Sequence, residues 1–235
     1  MRSTSFAAVT ALACVFAALP ARAKGLLDFA VGAKGFAGGN LWTTPSNIPG
    51  GYDGLGFAGS AGGFGYGFGA FVEGRIVKFV GVEVDALYDS GTLQRDVTYR
   101  NAFGSLTATE KVTITGLRIP VLFKGVLPLP GLRLWAGVGP EFMTAQSASA
   151  SLEPEQPGSP ISAKAKSSTN LALALGLVIE LPASLELPID LRASKNLSQE
   201  SAWADRVAFG TFPNYAVTAQ SSWDFRFGAG LGYAF

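Results

Sequence analysis

The chain has 235 residues, of which 48% are hydrophobic and 15% are charged, and its formal net charge is +1. This charge, without a dense cluster of lysine and arginine, argues against a nucleic-acid partner. The charged fraction is below the roughly 25% of ordinary soluble domains, and the 30 glycines and 17 phenylalanines disfavour helices and favour strands.

The first 23 residues have the pattern of a cleavable signal peptide. A basic residue precedes an apolar stretch from Phe6 to Leu19, and small residues precede an expected cleavage after Ala23. The apolar stretch is shorter than the roughly 20 residues that span a bilayer as a helix. We therefore expect a signal peptide at 1–23 and one exported β-barrel domain at 24–235.

Beyond the signal peptide, apolar residues alternate with charged or small ones, as in strands whose two faces meet different surroundings. In residues 185–194 every odd position is apolar. The last segment places aromatic residues on one face and Asp224, Arg226 and glycines on the other. Eight strands are predicted, at 26–38, 63–75, 79–90, 108–124, 132–145, 168–181, 185–196 and 216–235.

The fourth predicted strand contains a change of pattern. Val112 and Ile114 are apolar at even positions, whereas Leu117 and Ile119 are apolar at odd positions. A β-bulge shifts a strand by one residue and would produce this change. We therefore expect a bulge near Gly116.

The connections alternate in length. Those after the even-numbered strands are short, at 76–78, 125–131 and 182–184, and those after the odd-numbered strands are much longer. Single-chain outer-membrane barrels have an even number of strands, short periplasmic turns and long extracellular loops. The spacing predicts an up-and-down antiparallel barrel with both ends on the periplasmic side.

Two folds fit such strands: a soluble periplasmic barrel that binds an apolar ligand, and a membrane barrel with an apolar exterior. The non-apolar faces are rich in glycine and alanine and poor in lysine, which would make a poor soluble surface. They suit the crowded interior of a narrow barrel. The sequence therefore predicts an all-β, eight-stranded transmembrane β-barrel in contact with the lipids of a bacterial outer membrane.

Charged residues on the predicted inner faces carry both signs and are expected to form a paired, structural network inside the barrel. The residues assigned to it are Glu73, Glu83, Asp85, Arg118, Arg133, Glu141, Asp190, Arg192, Asp224 and Arg226.

Three segments carry a resemblance to known proteins. Gly230 to Phe235 resembles the terminal strand of bacterial outer-membrane barrels, and 117–124 and 137–142 are similar to strands four and five of the small OmpA- and OmpX-like "outer membrane protein beta-barrel domain" family. The resemblance implies that Tyr233 and Phe235 form a C-terminal assembly signal, with the outer-membrane assembly machinery as a partner.

The chain contains no histidine. The enzymes that resemble this barrel use histidine in their sites, and zinc and copper sites usually need histidine or cysteine. We therefore expect no catalytic, cofactor or metal residues, and a non-enzymatic role in envelope structure or surface interaction through the extracellular loops. The alternative is a narrow pore.

Overall fold

The computed structural model describes residues 27–43, 55–57, 61–101, 104–153, 161–165, 167–198, 203–207 and 215–235. The expected signal peptide lies outside these residues. Among the described residues, no helix is both long enough and apolar enough to cross a membrane.

The described part of the chain forms eleven antiparallel strands and one short 3-10 turn, η1, at Pro182–Ser184. Eight long strands form the barrel: β1 Leu27–Thr43, β3 Ala61–Ile76, β4 Val80–Asn101, β5 Gly104–Leu129, β6 Leu132–Glu153, β8 Ser168–Glu180, β9 Leu185–Asn196 and β11 Tyr215–Ala234. Three short strands extend the sheet at the side of the barrel where the long connections lie, which we call the loop side: β2 Leu55–Phe57, β7 Ile161–Ala165 and β10 Trp203–Val207. β2 pairs with β4, β10 with β11, and β7 with β10.

The long strands pair with their neighbours in chain order, and β11 pairs back with β1. At the turn side of this seam, the N–H of Phe29 donates to the carbonyl of Phe235 over 3.3 Å, and the N–H of Phe235 donates in return over 3.0 Å. The sheet therefore has no free edge at the seam. The predicted fold, a closed eight-stranded antiparallel barrel, is confirmed.

Tight turns connect the strands on one side of the barrel. Val77, Lys78 and Phe79 link β3 to β4. Val77 and Lys78 have φ of 52° and 62°, the left-handed conformation that tight hairpin turns often require. Gly131, with φ of 71°, follows Pro130 in the turn between β5 and β6. The connection predicted at 125–131 is therefore too long, because β5 continues to Leu129.

The barrel is apolar outside and polar inside. Phe68 and Leu175 are 62% and 64% exposed on the outer face. By contrast, Glu83 and Asp85 are 1% and 0% exposed on the inner face. In a soluble protein this distribution would expose a large apolar surface to water, so the outer face belongs in lipid.

We call this outward apolar surface the apolar band; it is best defined on β5. Its outward residues are apolar or glycine from Leu129 to Leu117, and Thr115 and Thr113 follow on the same face. At about 3.3 Å per residue and a tilt near 45°, this stretch covers roughly 28 Å, close to the apolar band of about 25 Å in outer-membrane barrels. The border between lipid and water thus lies between Leu117 and Thr115.

This border explains the change of pattern that predicted a bulge in β5. The pairing of β5 with β4 runs through Gly116 without a shift, and Val112 and Ile114 point inward, with exposures of 0% and 7%. The apolar face changes because the surroundings of the strand change from lipid to water. A register shift does occur opposite Thr115 and Gly116, but the extra residue is Gln146 in β6.

Several strands continue well beyond the apolar band. The β4–β5 ladder extends to the pair Asn101 and Gly104, and the β5–β6 ladder extends to Thr109 and Glu153. The region around Asp96, predicted as a loop, is therefore a strand pair in the structure. We call these extensions, residues 92–101, 104–115 and 144–153, the protruding sheet.

The border on β5 can be tested with single cysteines. Cys14, the single cysteine of the chain, is replaced by alanine. Thr113→Cys and Val121→Cys then place a thiol on the same outward face of β5, at β-branched, half-buried positions. In proteoliposomes we expect a water-soluble maleimide to label Thr113→Cys at least tenfold faster, because Val121 faces lipid. Equal labelling rates would contradict the assigned border.

Candidate functional site: the ion-paired barrel interior

The ten charged residues assigned from the sequence all project into the barrel interior. Nine are at most 9% exposed, and Arg133 lies near the turn-side mouth with its side chain 12% exposed. Their positions follow from the strand alternation, since each stands opposite the apolar outward residues of its own strand. They form two clusters along the barrel axis.

The turn-side cluster is centred on Glu83 of β4. Lys124 and Lys34 donate to its two carboxylate oxygens over 2.5 and 2.6 Å, and Arg192 donates to it over 3.1 Å. Arg192 also donates to Asp85 over 2.6 Å. Strands from opposite sides of the barrel are therefore tied together across the lumen.

The remaining contacts of this cluster reach the turn-side mouth. Lys124 also contacts Glu73 at 3.3 Å. Arg75 and Arg133 contact the two oxygens of Glu186 at 3.1 and 2.6 Å. Arg133 thus extends the network to the edge of the barrel.

The loop-side cluster is centred on Arg118 of β5. Its guanidinium donates to Glu141 over 2.9 Å, to Asp224 over 2.9 Å and to Asp89 over 3.2 Å. Arg226 donates to the second oxygen of Asp224 over 2.6 Å. Removing one member of such a buried cluster costs about 3–5 kcal/mol, because its partners keep an uncompensated charge.

The network contains residues that the sequence assignment left out. Lys34 and Asp89 are 4% and 1% exposed and belong to it. Both lie on the non-apolar faces of their strands, so the sequence pattern could have identified them. Asn170 and Ser194 donate to the two oxygens of Glu141 over 2.8 and 3.2 Å. Uncharged residues of this kind cannot be distinguished by sequence pattern from other interior polar residues.

One side of the interior carries many glycines among its inward residues. Nine inward positions of β1, β3 and β11 are glycine, and we call this surface the glycine wall: Gly32, Gly38, Gly63, Gly65, Gly67, Gly69, Gly228, Gly230 and Gly232. A methyl group on Gly65 would meet the guanidinium of Arg226, and one on Gly67 would meet the Phe36 ring. The wall provides the volume that the long charged side chains occupy.

The opposite side of the interior carries apolar residues. Leu122, Val126, Trp135 and Val178 pack together on β5, β6 and β8. The ammonium of Lys124 lies 3.9 Å from the centre of the Trp135 ring, a favourable arrangement for a cation and an aromatic face. Farther toward the loops, the inward residues are apolar again, including Leu93, Val112 and Ile114.

The charges inside the barrel nearly balance. Among the described buried residues there are six bases and eight acids, and Arg133 adds a seventh base. Between the two clusters, a cavity of about 10 Å³ is lined by Phe36, Leu87 and the ends of Arg118 and Arg226, room for about one water molecule. In the described part of the chain, no three Asp, Glu, His or Cys side chains are grouped to hold a metal ion.

The residues predicted as an assembly signal lie at the turn-side end of β11. The rings of Tyr233 and Phe235 are 5.8 Å apart, and Tyr233 is 48% exposed toward lipid. Trp223 stands at the other end of the same face and stacks on Phe225 at 6.0 Å. This placement matches the aromatic girdles of membrane barrels, and the assembly role stays a prediction.

Comparison with solved structures identifies the fold. The chain is similar to the outer membrane protein OprG from Pseudomonas aeruginosa, with 16% identity over 88% of this chain and 95% of that one and a TM-score of 0.51. A major outer membrane protein from Thermus thermophilus matches with 18% identity over 89% and 99% of the two chains and a TM-score of 0.43. The outer membrane protease OmpT from Escherichia coli matches with 8% identity over 93% of this chain and 99% of that one, with a TM-score of 0.44.

No protein-family profile and no curated protein sequence matches the chain. The similarity to OprG shows the fold of a small outer-membrane β-barrel. The outer-membrane location predicted from the sequence agrees with this fold and with the apolar band.

The glycine wall can be tested by adding single methyl groups. Gly67→Ala should destabilise the barrel by about 1–3 kcal/mol, because the methyl group would overpack against Phe36 and the carbonyl of Tyr88. Gly35→Ala is the matched control, since a methyl group there faces outward and meets only a carbonyl at 3.9 Å. Urea unfolding in detergent micelles measures the free energy of unfolding of both variants. Equal stability of the two variants would show that the wall has spare volume.

Proposed function

We propose that the chain is a non-enzymatic outer-membrane protein in which a closed barrel anchors a protruding sheet that contacts molecules at the cell surface. The observation that supports this proposal is the filled lumen. Ion pairs cross the barrel from Arg192 of β9 to Asp85 of β4 at 2.6 Å and from Arg118 of β5 to Asp224 of β11 at 2.9 Å. An eight-stranded barrel is only wide enough for its side chains to fill it.

The layer above the charge network supports the same proposal. Leu93 and Val112 are 1% and 0% exposed inside the barrel, at a level where the outward residues have become polar. These apolar side chains line β4 and β5 at this height and offer a passing ion no substitute for water on that side of the lumen. The alternative function, a narrow pore, requires an open path through both layers.

The protruding sheet is the surface that remains for contact with other molecules. Its outward face is rich in hydroxyl groups that hydrogen-bond across neighbouring strands: the Thr115 and Ser147 hydroxyl oxygens are 2.6 Å apart, and the Thr109 hydroxyl donates to the Asp96 carboxylate over 2.9 Å. Such a face is polar and carries few charges. Surface loops and extensions on a rigid scaffold are the usual location of binding residues.

Electrical recording tests the closed lumen. Purified protein in planar bilayers should give no steady, step-like conductance, because the ion-paired side chains fill the path. Heat-modifiable gel mobility of the same sample confirms that the barrel is folded. Reproducible channels from folded protein would support the pore instead.

A shortened hairpin tests the role of the protruding sheet. Gln94 and Lys111 are directly paired, so residues 95–110 can be replaced by Asn-Gly, a favoured two-residue hairpin turn. In a Gram-negative host lacking the chromosomal copy, we expect this variant to insert and to restore resistance to detergent. It should fail to restore cell aggregation and attachment to surfaces. A variant that restores all of these traits would exclude a contact role for this hairpin.

A further inference from the structure

A groove crosses the apolar band on one side of the barrel. It has a volume of about 710 Å³ and runs over β6, β8, β9, β11 and β1. Strand pairing aligns its lining into two outward rows, one along Ala37, Phe227, Leu191, Leu175 and Ala136 and the other along Phe225, Ala193 and Leu173. Its floor is backbone between these rows, where the side chains point inward.

The dimensions of the groove suit a single hydrocarbon chain. Five strands about 4.8 Å apart give the groove a total length of roughly 19 Å, and roughly 10 Å of it extends to either side of β9, its middle strand. Because the strands of such barrels tilt by about 45°, the groove runs obliquely through the apolar band, and either half can hold part of an acyl chain that enters beside β9. Bulky residues such as Leu175 and Phe225 and small residues such as Ala193 and Ala136 line the groove together. The small residues deepen the groove beyond the ordinary relief of a sheet.

A cation stands one outward row above the groove, toward the loop side. Lys195 is two residues from Ala193, and it is directly paired with Trp223, which is two residues from Phe225. The Lys195 ammonium lies 5.6 Å from the centre of the Trp223 ring. The aromatic face therefore helps to hold the ammonium at the edge of the apolar band.

The charge around Lys195 favours an anion. Its outward row continues through Leu41 and Trp223 on one side and Leu171 and Pro140 on the other, so this row contains no acidic side chain. The inward arginines cannot reach this surface because they are engaged in the charge network. Lys195 is thus a cation with open access to the headgroup layer.

We propose that this site binds one acyl lipid with an anionic phosphate headgroup from the loop-side leaflet. The acyl chain lies in the groove between the two apolar rows, and the phosphate lies against Lys195 beside Trp223. The acyl chain and the phosphate contact two adjacent outward rows of β8, β9 and β11. The site is on the outer face of the barrel and is independent of what the protruding sheet contacts.

Native mass spectrometry of the full chain tests the site, with phosphatidylglycerol as the anionic probe and phosphatidylcholine as the zwitterionic one. Wild-type protein should retain one phosphatidylglycerol at concentrations where it retains no phosphatidylcholine. Lys195→Gln should weaken retention about fivefold, the value of one cation near a lipid surface, and Lys195→Arg should restore it. Lys111→Gln, at an outward lysine away from the groove, should leave retention unchanged.

A second pair of variants tests the groove. Ala193→Leu fills it and should reduce retention of phosphatidylglycerol at least threefold. Ala70→Leu adds the same volume on β3, outside the groove, and should not. Heat-modifiable mobility verifies that every variant is folded. The proposal is overturned if Lys195→Gln or Ala193→Leu binds like the wild type, if phosphatidylcholine is retained equally, or if Lys111→Gln is as impaired as Lys195→Gln.

Discussion

The constraint on which the rest of this structure depends is that lipid offers no hydrogen bonds to a peptide backbone. Each N–H and C=O in the apolar band needs a partner within the sheet, and the pairing of β11 with β1 supplies the last set. Closure with eight strands then fixes a narrow interior. Every inward residue has to fit that interior, whatever its chemistry.

The side chains fit this interior because small and long inward residues are distributed unevenly among the strands. The glycines of the wall on β1, β3 and β11 contribute little volume, so long arginine and lysine side chains have room to extend into the lumen and meet carboxylates. Burying such charges is costly unless each finds a partner. The several short contacts of Glu83 and Arg118 meet that requirement.

Sequence pattern predicted the strands and the inward set of residues because period-two alternation reports directly which face meets lipid. The pattern was ambiguous where one change in the alternation can have two physical causes. Near Gly116 a change of solvent and a bulge in β5 predict the same residue pattern. The pairing with β4 shows no shift there, and the shift on the β6 side comes from the extra residue Gln146. Partners such as Glu83 and Lys34 are 49 positions apart, so their contact depends on barrel geometry that no local pattern contains.

The abrupt ends of the apolar band have an elastic consequence for the surrounding bilayer. A closed barrel cannot shorten or kink as a single helix does, so its hydrophobic height, from the tight turns to Thr115 on β5, is fixed. A membrane of different thickness has to stretch or thin around it, at a cost of fractions of a kcal/mol per ångström. Hydrophobic mismatch therefore makes the barrel a selector of bilayer thickness, and favours its residence in membranes whose hydrocarbon core matches that height.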